Sequence, residues 1–199
     1  MKVFGIYIFN CNDPSKPIVL SKVLDLTSFG FFQRGSAEEV MNFVAREVTK
    51  KTTDKQSVLH LDYVAFAKID GKSLGALVLT DKEYPSRVGH RVTDLALKKF
   101  HELYKKEAAW SEITEDTLMF TSEFEALLKQ SQEPEQVDDV EKIRKDLDDT
   151  HDTLHKTISD LMVRGEKLED LAKDSEDLGM FSKQYMNKAE DLNSCCLLL

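Results

Sequence analysis

The sequence predicts two unlike parts: an α+β domain with helices flanking a mostly antiparallel sheet, then a long coiled-coil helix. Three observations carry that reading. Residues 1–132 hold 18 acidic and 18 basic side chains, whereas 133–199 hold 18 acidic and 9 basic, so the whole net charge of -9 lies in the second part. Of the aromatics only Phe181 and Tyr185 lie beyond Pro134, and Pro134 is itself the last proline after Pro14, Pro17 and Pro85. From Val140 to Leu192 an apolar repeat of seven residues persists. A neutral, aromatic-rich stretch with prolines suits a globular core; an acidic, proline-free one rich in Leu and Lys suits a long helix. The expected units are a domain over 1–130, a linker over 131–137, a coiled-coil motif over 138–192 and a tail over 193–199.

In the first part, Val3–Phe9 and Ile18–Leu26 read as strands around a turn at Asp13-Pro14-Ser15. Ser36, with Glu39 three residues on, offers a capping box. It opens an amphipathic helix whose apolar side includes Val40, Met41, Phe43, Val44 and Val48. Val58–Ile69 is strand-like with an interruption at Asp62, and Asp70-Gly71 turns the chain into a strand over Leu74–Thr80. Ser86, after Tyr84-Pro85, is expected to cap a helix reaching about Lys106, and a third helix is expected from Glu115 to Lys129. That order of elements specifies the α+β domain.

An acidic chain lacks the basic face that nucleic acid requires, so no nucleic-acid partner is expected. No run approaches the ~18 apolar residues of a spanning helix, and the apolar start runs into Asn10-Cys11-Asn12-Asp13 without a cleavage site. Three cysteines, with Cys195 and Cys196 adjacent, do not make a disulfide framework. A soluble intracellular chain is the expectation.

In the second part, alternating steps of three and four pick out Val140, Ile143, Leu147, Thr150, Leu154, Thr157, Leu161, Arg164, Leu168, Leu171, Ser175, Leu178, Ser182, Tyr185, Ala189 and Leu192. Eleven of these 16 positions are apolar and one is charged, against 22 charged residues among the other 37 in the span. A sustained heptad imposes a left-handed coiled coil. As one helix it would run roughly 80 Å, too long to lie along the first domain, so it calls for partner helices. The single charge, Arg164, sits between Leu161 and Leu168. A charge in a seam costs stability unless partners supply acceptors, and such layers set register and partner choice. Its five donors suit carboxamide oxygens of neighbouring helices.

The stretch from Leu161 to Leu171 resembles the central layer of an R-SNARE motif, the synaptobrevin-type helix of membrane fusion, and the 140–192 register matches that motif. The resemblance puts Arg164 in the ionic layer and implies three glutamine-bearing (Q-SNARE) helices as partners. The pieces Ser28-Phe29-Gly30-Phe31-Phe32-Gln33-Arg34 and Glu83-Tyr84-Pro85-Ser86-Arg87-Val88 resemble a longin domain, which is profilin-like. With the ending Cys195-Cys196-Leu197-Leu198-Leu199, the whole resembles the lipid-anchored longin R-SNAREs of the synaptobrevin superfamily. In such longin domains the surface between the first helix and the sheet binds the chain's own motif or lipid. An intramolecular longin–SNARE contact is therefore implied, with Phe43 either lining that groove or belonging only to the core.

Cys196 and the three leucines after it fit a prenylation box. The final leucine points to geranylgeranyl, whereas family members often carry farnesyl-type endings, and both isoprenoids stay open. One lipid chain gives only marginal membrane binding. Lys183 and Lys188 face Glu190 and Asp191 near the end, which is no polybasic patch, so Cys195 is expected to supply the second signal, as palmitate or another lipid. Catalytic chemistry finds no support: Gly71-Lys72-Ser73 lacks the glycine a phosphate loop needs at Phe66, and His101-Glu102 meets Lys105 where a zinc-binding histidine would stand. No metal and no resident cofactor are expected.

The implied function is a reversibly anchored R-SNARE, held inactive by its longin domain and moving between cytosol and the cytoplasmic face of Golgi, endosomal or vacuolar membranes. The competing class is a non-fusogenic, lipid-anchored adaptor or tether.

Overall fold

The computed structural model describes residues 1–60, 62–71, 73–104, 110–139, 153–155, 157–162, 167–180 and 182–183. Five strands, β1 (Val3–Asn10), β2 (Ile18–Leu24), β3 (Lys55–His60), β4 (Tyr63–Ile69) and β5 (Leu74–Asp81), form an antiparallel sheet. The spatial order is β2-β1-β5-β4-β3, and a short β6 (Thr153–His155) extends it beyond β3. β1 is buried along its whole length, so it reads as a continuous apolar run and not as an alternation. Ile6 and Ile8 face one side of the sheet, Tyr7 and Phe9 the other.

One face is covered by α1 (Arg34–Lys51), the other by α2 (Ser86–Leu103) and α3 (Thr121–Ser131). α2 starts at the expected place, but Ser86 is its first helical residue and not its cap. Pro85 takes the cap position without a side-chain bond, and the helix ends at Leu103, short of the expected Lys106. Its Gly89 lies flat on Phe66: a Cβ there would come within 2.3 Å of the ring, so only glycine permits this approach.

α1 begins two residues before the expected cap at Ser36. A single 3-10 turn, Phe31–Gln33, precedes it, and the reciprocal bonds form there instead. The Gly30 amide donates to Gln33 Oε1 at 3.2 Å, and the Gln33 amide donates to the Gly30 carbonyl at 2.8 Å. α3 begins later than Glu115 because the preceding residues are used otherwise. The amides of Thr117 and Met119 donate to the carbonyls of Val19 and Leu20 at 2.7 and 2.9 Å, covering the outer edge of β2.

The stretch read as a linker holds a short helix, α4 (Pro134–Asp139), with proline at its first position and Val137 fully buried. Gln132 ties it to β1, accepting from the Val3 amide at 3.1 Å and donating to its carbonyl at 2.7 Å.

The single helix expected over 138–192 is not what the described residues form. They contain β6, a 3-10 turn at Ile158–Leu161, and α5 (Leu168–Asp174). Thr157, Met162, Lys167 and Ser175 have extended backbone and separate these pieces. The physical reason is the missing partner: without other helices to cover it, an apolar seam gains more by bending onto the nearest apolar face than by standing as a bare rod. Among the described residues no helix is long and apolar enough to cross a membrane.

Candidate functional site

The face that receives the motif is built by α1. Met41, Val44 and Val48 recur at helical spacing and pack on Ala65, Leu77 and Leu79 of β4 and β5. Ile158, Leu161, Leu168, Ala172 and Leu178 belong to the same apolar cluster, all of them buried. β6 supports them by pairing in parallel with the outer edge of β3, Gln56 with Thr153, Ser57 with Leu154 and Val58 with His155.

Two polar clasps frame this contact. Arg46 of α1 reaches Asp177, while its other nitrogens reach the Pro17 carbonyl at 2.6 Å and Asp116 Oδ2 at 2.8 Å. Asp116 in turn accepts from the Val19 amide at 2.9 Å. Glu39, two turns earlier on α1, accepts from the Gly179 amide at 2.8 Å and the Ser182 hydroxyl at 2.7 Å. Those two bonds hold its carboxyl below the usual range.

Of the predicted seam, Leu161, Leu168, Leu178 and Ser182 are buried on the domain and Thr157, Leu171 and Ser175 are half-buried. Leu154 lies in β6. Val140, Ile143, Leu147, Thr150, Arg164, Tyr185, Ala189, Leu192 and the lipidation candidates Cys195 and Cys196 lie outside the described residues. Phe43 is fully buried in the cluster beneath the motif. Sequence reasoning missed Ile158, Ala172, Arg46 and Asp177, and it gave Glu39 to a capping box with Ser36, whereas Glu39 accepts from Gly179 and Ser182. The available signal was Ile158 itself, an apolar residue one step off the seam in a mostly charged exterior.

Beside the motif, between the start of α1 and the sheet, lies an apolar cavity of about 450 Å³. Phe29, Phe32, Ala37, Val40, Met41, Val44, Tyr63 and Leu79 line it, with His60 among them. Burial drives the His60 imidazole down to about 4, so it is neutral near pH 7. Among the described residues no group of side chains could hold a metal ion.

A two-faced domain of this topology followed by a heptad segment is the plan of a longin-type SNARE. The longin family model, described as a regulated-SNARE-like domain, matches residues 26–128, and the synaptobrevin model matches 139–198. A YKT6-type synaptobrevin homologue of Dictyostelium discoideum is 41% identical over 98% of both chains. The synaptobrevin homologue YKT6 of Saccharomyces cerevisiae is 32% identical, and the VAMP-like protein YKT61 of Arabidopsis thaliana 33%, each over the full length of both chains. The chain belongs to the longin-type R-SNAREs of the synaptobrevin superfamily, a family of vesicle-trafficking proteins and not of enzymes.

Proposed function

We propose that the chain drives vesicle fusion by zipping residues 140–192 with three Q-SNARE helices, from the domain side toward the lipid. Arg164 is the ionic-layer residue, its planar fork of donors meeting three carboxamides. Cys196 carries the isoprenoid, geranylgeranyl or farnesyl, and Cys195 the palmitate or second lipid that makes anchoring stable. Between rounds the longin domain holds the motif folded back. The cavity then shelters the isoprenoid, whose exposure to water costs about 0.8 kcal/mol per methylene. One pool is cytosolic; the other sits on the cytoplasmic face of Golgi, endosomal or vacuolar membranes.

One observation supports the restraint above all others. Leu161, Leu168, Leu178 and Ser182 are spent on the domain face, so they are not on offer to a bundle at the same time. The length of chain beyond Ser182 also supports a reach to the cavity. Ser182 is held at Glu39, on the helix whose Ala37, Val40 and Met41 line it. The chain from there to Cys196 spans up to about 50 Å when extended.

Ile158 and Ala172 are buried on the domain yet lie beside the seam, so Ile158→Asp with Ala172→Glu releases the motif and leaves every seam position intact. Mixed with Q-SNARE partners on liposomes, the lipidated double variant is expected to assemble the bundle and mix lipids faster than the native chain. Arg164→Ala is expected to weaken assembly. An unchanged rate in the double variant counts against restraint by the longin domain. Bundles that never mix lipids would favour the adaptor or tether.

A further inference from the structure

Two of the most exposed large apolar side chains share one turn of the domain. Phe31 is 78% exposed and Phe32 95%, and their rings meet edge to face at 5.5 Å. The turn is firmly held. Phe29 points inward, its ring 6.0 Å from Phe4, and its carbonyl accepts from Arg34 Nε at 3.3 Å. With the paired bonds between Gly30 and Gln33, the backbone is fixed so as to hold two rings out in water. Paired aromatics left in solvent on a braced turn mark a contact surface.

Two further observations say what meets it. Phe32 is almost fully exposed and yet lines the apolar cavity, which places it on the rim. The rings therefore continue a surface that already leads to an apolar interior. From Leu26 to Ala37 the chain has no acidic residue and a single charge, Arg34, in a protein of net charge -9. Exposed aromatics beside one cation on an acid-free turn suit the boundary between lipid headgroups and acyl chains, with the guanidinium toward phosphate.

We propose that the Phe31-Phe32 turn is a bilayer-docking surface, which seats the cavity rim on the membrane so that the isoprenoid passes between protein and lipid without crossing water. Only the passage of the isoprenoid rests on the storage reading above; docking rests on the rings themselves. The test uses the full-length unlipidated chain with phosphatidylcholine vesicles, with and without phosphatidylserine. Phe31→Ser removes a ring that does not line the cavity. It is expected to lower vesicle partition about tenfold and to leave binding of a farnesyl-cysteine probe in solution unchanged. Phe31→Trp is expected to shift its emission to the blue with vesicles and to be quenched by brominated acyl chains. Leu118→Trp, at another open apolar position, is expected to do neither. Unchanged partition of Phe31→Ser, equal quenching at Leu118→Trp, or Phe31-dependent dimers without vesicles would each overturn the docking surface. A farnesyl probe that fails to bind, with the Phe31→Ser loss intact, overturns storage and supports docking.

Discussion

Arg46 grips Asp177 edge to edge across 131 residues of sequence, Nε to Oδ2 at 2.8 Å and Nη2 to Oδ1 at 3.2 Å. Burial opposes the charge, but hydrogen bonds with Asp177 and Asp116 outweigh it and hold the guanidinium above its usual pKa. One side chain thus joins α1, the strip covering β2 and the end of the folded-back motif.

Arg46→Lys should loosen that junction, because one ammonium does not reproduce a planar fork shared among three acceptor groups. A double-mutant cycle with Asp177→Asn is expected to give a coupling of about 1–2 kcal/mol. Hydrogen exchange at the Gly179 amide reads it locally. Equal protection in native and Arg46→Lys chains would show that the clasp adds nothing.

Acid should weaken the domain through His60 before it frees the motif through Glu39. With its folded pKa near 4 against the usual 6.5, His60 stays neutral where the unfolded chain takes up a proton. The unfolded state binds more protons in that window, so stability falls as pH drops through it, by roughly 3 kcal/mol in all. The depressed Glu39 carboxyl contributes stability above its usual 4.5, and this is lost as pH falls through its lowered value. Urea midpoints measured from neutral pH to pH 4 should slope downward in the native chain and flatten in His60→Gln. Parallel slopes would assign the pH dependence elsewhere.

Gly89→Ala is expected to cost about 1–3 kcal/mol by driving a methyl group into Phe66. Gly35→Ala, where a Cβ meets nothing within 4 Å, is the control and should not destabilise the helix it sits in. The comparison is of chemical-denaturation midpoints. Equal midpoints would mean that α2 shifts freely on the sheet.

Much of the domain was legible because its signals are local. The apolar run of β1, the Asp70-Gly71 turn and the Pro85-Ser86 helix start each fix an element without distant help. Asp62 correctly marked the break between β3 and β4. The start of α1 was misread because the Gly30–Gln33 box competes with Ser36 and wins. The strip at 116–119 was misread because a bare β2 edge, invisible in one dimension, recruits it. The motif was harder still. Its seam encodes a helix among helices, and the described residues meet a different partner, so Ala172 and Ile158 count there although they are absent from the heptad. Thr153-Leu154-His155 carries no strand pattern of its own; the waiting edge of β3 makes it a strand.

That last strand has a consequence for how the protein can be handled. Lifting β6 bares a ladder edge whose middle residues, Gln56 to Leu59, carry no charge to repel a like neighbour. Where β6 pairs with β3 it therefore shields an edge that would otherwise be open to a strand of another molecule.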